Sequence, residues 1–299
     1  MTTKVISGSA IAKEIRVEVA AAVTDMKGKY GVTPGLAVVL IGEDAASTVY
    51  VRNKGEACTQ VGIFSETFRL VKNTSCEEVM RLVEHLNQDK RFHGILVQLP
   101  LPPHIDENVV INALDPAKDV DGLHPLNLGR LASGNAYLVP CTPAGIQEML
   151  LRSGHDPSGK HLVVCGRSNI VGKPLAIRML QKMPGANATV TVCHTGTGNL
   201  SAITSQADIL VVATGHPMTI TEGMVKEGAV VIDVGVNRVE DLSRKRGYRL
   251  VGDVDFEGVL PKVGAISPVP GGVGPMTIAM LLRNTLQAAQ LFIDRDSSG

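Results

Sequence analysis

Net charge is the first thing this chain lacks. Lys plus Arg and Asp plus Glu both number 29 in 299 residues, so the formal charge is zero. A neutral chain has no global pull toward nucleic acid or an anionic membrane, and only local basic sites remain open. Paired cysteines are also missing. Cys58, Cys76, Cys141, Cys165 and Cys193 fall singly, with no CxxC spacing. A disulfide framework and a zinc site are therefore without support, which suits a reducing compartment. Each reads as a free structural thiol. The eight histidines show no metal-ligand spacing either, so no metal is expected.

No apolar run approaches the length of a membrane span. The first twenty residues, MTTKVISGSAIAKEIRVEVA, hold no signal-type apolar stretch and bring in Glu14 and Glu18 early, unlike a transit peptide. The expected location is the cytoplasm, with neither membrane nor nucleic acid as a partner. Tryptophan is absent and aromatics reach only 3%, whereas glycine numbers 31. That balance fits α/β layers, in which β-branched strands are buried and glycines serve the strand-to-helix turns. Hydrophobic residues at 44% are enough for a sizeable core, and the length suits one large domain or two ordinary ones.

Ile11, Ile15 and Val19 share one apolar helical face, so the N-terminus is read as the first helix. Strand-like runs follow at 35–41, 64–70 and 94–98, separated by helical stretches at 47–61 and 75–87. A second series comes at 161–165, 188–193, 208–214 and 229–234, with a short last strand near 265–268. Strands alternating with helices predict two βαβ-type domains around a cleft, each with a mostly parallel sheet. The stretch 116–140, rich in Gly, Pro, Asn and Asp, joins them. Residues 1–140 are expected to form the first domain, joined by a C-terminal helix (276–299) that returns to it. Residues 141–275 should form a Rossmann-like second domain. The cleft is the expected ligand site.

The segment Cys165–Leu175, CGRSNIVGKPL, follows a strand and precedes a helical pattern. Against the G-x-G-x-x-G fingerprint, Gly166 is present, Ser168 replaces the second glycine and Gly172 comes one residue late. The context suits a pyrophosphate at a helix N-terminus, although a tight turn without ligand has the same pattern. The next strand ends in Cys193-His194-Thr195-Gly196-Thr197, without the carboxylate that NAD sites usually place there. Arg167 stands in the turn, either as a solvated loop cation or as a partner for a ribose phosphate. The second role favours NADP.

Ser47, Tyr50 and Lys54 recur at i, i+3 and i+7 on one helix face. A lysine becomes a general base at neutral pH only when burial or a neighbour favours the neutral amine. Alone, the triplet also describes an ordinary polar face. Tyr-x-x-x-Lys occurs in short-chain dehydrogenases too, but there it follows the nucleotide fold and here it precedes it. Gln98 ends a buried strand in ILVQLPLPPH, placed for a ligand or for Lys54, or satisfied as a loop amide. Asp119 and Asp121 offer carboxylates on alternate sides of a short extended segment in KDVDGLHPLN, so that one can accept paired hydrogen bonds from an amidine-like edge such as a pterin's. The ligand spacing of a calcium loop is lacking.

Together, YVRNK, GILVQLPLP, KDVDGLHPLNLGRL, PCTPAGI, GRSNIVGKPL, VVATG, VIDVGVN, GDVDF and PVPGGVGPMT resemble the bifunctional methylenetetrahydrofolate dehydrogenase/cyclohydrolase family almost end to end. The resemblance implies NADP-dependent oxidation of methylenetetrahydrofolate, then hydrolysis of the methenyl product to formyltetrahydrofolate. It implies Lys54 as central base, assisted by Tyr50 and Gln98, with Asp121 holding the pterin. Ser47, Leu99, Pro100 and the loop Pro270-Gly271-Gly272-Val273 should line the folate pocket. Gly166, Arg167, Ser168, Ile170, Val171, Thr195, Gly215, Ile232, Gly274 and Thr277 should hold NADP, Ile232 beside its nicotinamide end. Relatives are homodimers through the nucleotide domain, so a homodimer is expected. The stretch after His194, TGTGNL, departs from the family in being small and uncharged where a longer or basic side chain is common. The alternatives are a short-chain-type NADP oxidoreductase on a small carbonyl and a non-catalytic folate or nucleotide binder. The second is disfavoured by intact Lys54, Gln98 and Asp121.

Overall fold

The structure, a computed structural model, describes residues 4–243 and 247–296. The expected domain ends at 1–3 and 297–299 lie outside the described residues. The chain opens with β1 (Lys4–Val5), α1 (Gly8–Tyr30), β2 (Gly35–Ile41), α2 (Ala45–Val61), β3 (Phe64–Leu70), α3 (Cys76–Gln88) and β4 (Gly94–Val97). Three helices follow, α4 (Glu107–Ala113), α5 (Pro125–Ala132) and α6 (Cys141–Arg152). Then come β5 (His161–Cys165), α7 (Gly172–Leu180), β6 (Thr189–Cys193), α8 (Leu200–Thr204), β7 (Ile209–Val212) and β8 (Val230–Asp233). The chain closes with β9 (Asn237–Glu240), β10 (Tyr248–Val251), α9 (Phe256–Val259), β11 (Ala265–Ile266) and α10 (Val273–Asp296).

Two compact units result: residues 13–141 with 278–296, and residues 4–12 with 142–277. The former, here the catalytic unit, has a parallel sheet in the order β3-β2-β4. Its central strand, GLAVVLI, is buried at every residue, as expected of a parallel strand with neighbours on both sides. Helix α3 starts in a capping box, Ser75 with Glu78, and buries Val79, Val83 and Leu86 against Val39, Phe92 and Ile95. Residues 278–296 of α10 belong to this unit, as expected for a returning C-terminal helix.

The other unit carries a six-stranded parallel sheet in the order β1-β11-β8-β7-β5-β6. Strand β5 has β6 on one side and β7 on the other, so the winding reverses there and opens a crevice at the strands' carboxyl ends. The N-terminus departs from expectation. The expected first domain includes residues 4–12, but β1 pairs in parallel with β11 and adds a strand to the nucleotide-type sheet. The antiparallel hairpin of β9 and β10 was also unforeseen. No described helix is long and apolar enough to cross a membrane.

Candidate active site

In the catalytic unit, Asp44 caps α2 by accepting the Ser47 amide at 2.8 Å, which fixes where the helix begins and which face carries the polar triplet. Ser47 is buried, whereas Tyr50 is 47% exposed and free to meet a substrate. Lys54 is half-buried, and its Nζ donates to Gln98 Oε1 at 2.8 Å. Gln98 is held from two sides. Its amide N–H continues the ladder to the Val39 carbonyl at 2.9 Å, and its Nε2 donates to the Leu99 carbonyl at 2.7 Å. The oxygen is thereby left to face the lysine. Burial lowers the Lys54 pKa, opposed by the negative charge of Asp121 and, more weakly, by Cys141 and Cys58. A lysine so placed gives up its proton more easily than a solvated one, as a general base requires.

Leu99 packs partly into the core and Pro100 is exposed beside it. Asp119 turns out to serve the backbone. It is 1% exposed and accepts from the Gly122 and His124 amides and from Asn127 Nδ2, at 3.1, 2.8 and 2.8 Å. Pinning this turn presents Asp121, two residues on, at the half-buried site beside Lys54 and Cys141. Cys141 is a free, buried thiol with a structural contact, as expected, whereas Asn284 carries a role that the sequence reading does not assign. Asn284, on α10, donates to the Val120 and Val139 carbonyls at 2.8 and 2.9 Å, and the Cys141 thiol donates to Val120 at 3.3 Å. Together they tie down the segments on either side of Asp121.

The nucleotide-type unit gathers a second set. Strand β5 runs into Gly166, where φ is +131° and a Cβ would lie 2.2 Å from the Ala213 carbonyl oxygen, so only glycine makes this turn. Ser168 Oγ accepts the Val171 and Gly172 amides at 3.2 and 3.4 Å, which holds the turn leading into α7. Beyond the ends of β5, β6 and β7 lies a cavity of about 320 Å³ whose walls include Gly166, Arg167, Ser168, His194, Thr195, Leu200, Thr214 and His216. Cys165 and Cys193, register partners on neighbouring strands, line it too. Burial pushes the Cys165 thiol up to about 12, so that part of the wall stays uncharged.

This cavity is near the lower end of the roughly 300–1,000 Å³ range of small-molecule sites, room for the nucleoside end of a dinucleotide rather than all of it. An arginine in its wall, with no carboxylate where β6 ends, fits a phosphorylated ribose. Of the other expected contacts, Gly215 adjoins Thr214 in the wall. Val171 and Ile232 are 8% and 0% exposed, so their side chains belong to the interior. Ile170 is exposed, Gly274 is exposed at the start of α10, and Thr277 Oγ1 pairs with Thr142 Oγ1 at 3.0 Å. The loop 270–273 also belongs to this unit, where Gly271 accepts the Ser9 amide at 2.9 Å and Val273 is buried.

Size alone does not mark a site. A larger cavity, about 510 Å³, opens at the opposite ends of the same strands. The Lys226–Asp208 ion pair (2.6 Å) lines it, and none of the expected residues does. Among the described residues, no three His, Cys, Asp or Glu side chains are grouped to hold a metal ion.

The model of the tetrahydrofolate dehydrogenase/cyclohydrolase catalytic domain matches residues 6–121, and that of the NAD(P)-binding domain of the same family matches residues 140–292. The chain belongs to this family. It is similar to the bifunctional protein FolD of Prosthecochloris aestuarii, 55% identical over 285 residues that cover 95% of this chain and 97% of that protein. Among solved structures it resembles the bifunctional FolD methylenetetrahydrofolate dehydrogenase/cyclohydrolase of Campylobacter jejuni. The TM-score is 0.91 at 44% identity, covering 97% of this chain and 99% of that one. The N5,N10-methylenetetrahydrofolate dehydrogenase-cyclohydrolase of Trypanosoma brucei, in complex with NADP and an inhibitor, gives 0.92 at 40% identity, covering 97% and 98%. Both halves of the family are thus present in this one chain, each with its own sheet and its own cluster of polar side chains.

Proposed function

We infer that this chain oxidises methylenetetrahydrofolate to methenyltetrahydrofolate with NADP and hydrolyses the product to formyltetrahydrofolate. The observation that carries this reading is the 2.8 Å bond from Lys54 Nζ to Gln98 Oε1, in a half-buried site beside Asp121. Asp121 accepts hydrogen bonds from the amino-pyrimidine edge of the pterin. Ser47, Tyr50, Leu99 and Pro100 border the folate. NADP, when bound, supplies the acceptor for the hydride that leaves the methylene carbon. Arg167, Ser168 and Thr195 hold its phosphorylated ribose, and the backbone at Gly166 and Gly215 closes around it.

Loss of hydride leaves a cation delocalised over two folate nitrogens and the carbon between them. Water adds to that carbon. Neutral Lys54, oriented by Gln98, takes the proton that the added water releases. The same group then returns a proton to the departing nitrogen as the ring opens, with the Tyr50 hydroxyl close by. The oxidation needs less acid–base work than the hydrolysis, because the departing hydride requires no proton transfer from the protein. Cytoplasmic location and a homodimer through the nucleotide unit complete the reading.

The test mixes purified protein with methylenetetrahydrofolate and either NADP or NAD, following reduced cofactor and methenyl absorbance together. Cofactor reduction with NADP and only transient methenyl is the expected result. Persistent methenyl would remove the hydrolytic half of the reading, and no turnover with either cofactor would remove both.

A further inference from the structure

Behind the nucleotide cavity lie two carboxylates that touch neither the cavity nor any cation. Asp253 is 0% exposed and Asp233 3%, and neither forms a salt bridge among the described residues. Asp253 Oδ2 accepts two successive backbone amides of the loop after β7, Thr214 at 2.6 Å and Gly215 at 2.9 Å. Its Oδ1 accepts Asn237 Nδ2 at 2.8 Å. Asp253 is itself held by its neighbour: Asp233 accepts the Asp253, Val254 and Gly235 amides at 2.9, 3.0 and 3.0 Å. The Asp233 amide in turn donates to Ser267 Oγ at 2.8 Å.

The backbone is shaped to admit these groups. A Cβ on Gly235 would lie 2.0 Å from Asp253 Oδ1, and one on Gly252 would lie 1.8 Å from Asp233 Oδ2. Burying two carboxylates without a counter-ion is expensive. What the arrangement secures is a fixed position for Thr214 and Gly215, whose amides point inward to Asp253. Thr214 thereby presents its remaining atoms to the cavity wall.

We propose that Asp253, itself held by Asp233, is the positioning residue that fixes the loop carrying Thr214 into the wall of the cofactor cavity and so tunes NADP affinity without touching NADP. The inference rests on the reading of that cavity as the cofactor site. Asp253→Asn keeps the shape but replaces one acceptor oxygen by a donor, which faces either the two loop amides or Asn237. The KM for NADP should rise about ten-fold, the typical weight of one lost charge-assisted hydrogen bond. The kcat at saturating NADP should hold, and so should hydrolysis of methenyltetrahydrofolate, which consumes no cofactor.

Direct titration of NADP onto wild type and variant gives the same comparison without turnover. Unchanged NADP affinity in Asp253→Asn would overturn the proposal. If Asp253→Asn does not fold, judged by lost hydrolysis and no cooperative melting, Asn237→Ala decides. That change frees Asp253 Oδ1 alone, and a two- to three-fold weaker NADP affinity is expected on the order of one neutral hydrogen bond. No change there would count against the proposal. Failure of wild type to bind NADP at all would instead refute the cofactor reading on which it rests.

Discussion

The two units place their polar residues in opposite ways. In the catalytic unit the proposed reactive groups are side chains on or next to regular elements: Lys54 midway along α2, Gln98 one residue beyond β4, and Asp121 after a turn held by Asp119. In the nucleotide unit the buried carboxylates serve backbone amides, and the surface that meets ligand is largely loop. The difference follows from the chemistry. Moving a proton needs one group whose pKa has been shifted and whose partner is fixed. Holding a dinucleotide needs a shaped backbone and a few charges at its edge.

The sharpest way to break this contrast is Lys54→Met. Removing the base should lower hydrolysis of methenyltetrahydrofolate by about 100-fold or more, within the usual weight of general-base catalysis. Dehydrogenase turnover should fall much less. Equal loss of both in a folded variant would deny the division of labour. The pH profile sharpens the same point. In the proposed mechanism Lys54 acts as the neutral amine, and burial lowers its pKa, so hydrolysis should decline as pH falls through that lowered value, about ten-fold per unit below it. The dehydrogenase rate should not share that limb. A common acid limb in both activities would point to a group other than Lys54.

On the other side, Arg167→Ala should weaken NADP by about 10- to 100-fold, the weight of a charge-assisted bond to phosphate, and leave NAD nearly untouched. Steady-state measurement with both cofactors checks this, and a parallel loss for NAD would place Arg167 away from the ribose phosphate.

The smallest effect concerns stability of the catalytic unit. His93 is 6% exposed, accepts the Gly35 amide at Nδ1 and meets the Phe292 ring edge-on. Burial, with Lys118 nearby, pushes its pKa down to about 4. Between pH 6.5 and 4 the unfolded chain therefore binds a proton that the folded chain does not, and stability falls as acid is added. From pH 7 to 5 the loss is about 2 kcal/mol. His93→Asn, which keeps an acceptor for Gly35, should flatten that part of the curve in urea titrations. An unchanged slope would assign it elsewhere.

Most of the fold could be read from runs of buried apolar residues. The run GLAVVLI becomes β2 with its expected bounds, as do FSETFRL and HLVVC for β3 and β5. What escaped was too short or too exposed to carry a pattern. Strand β1 is two exposed residues whose pairing with β11 spans the chain, and β9 sets Arg238 and Glu240 toward solvent.

The site shows the same divide. The contact of Lys54 with Gln98 was legible because Lys54 sits on a helix with a known face and Gln98 directly follows a buried strand. The roles of Asn284, Cys141 and Asp253 arise from contacts far apart in sequence and left no local signal. Alternation along an extended segment sets Asp119 and Asp121 on opposite sides, with one of them for the ligand, but leaves the partners of the other unspecified. The local chain instead turns, and three donors draw the Asp119 carboxylate inward.

The most direct test of the two-site account assays Lys54→Met and Arg167→Ala side by side, each for hydrolysis of methenyltetrahydrofolate without cofactor and for NADP affinity. Reciprocal loss is predicted: Lys54→Met hydrolyses poorly but binds NADP as wild type does, and Arg167→Ala does the reverse. Parallel loss of both properties in either folded variant would contradict it.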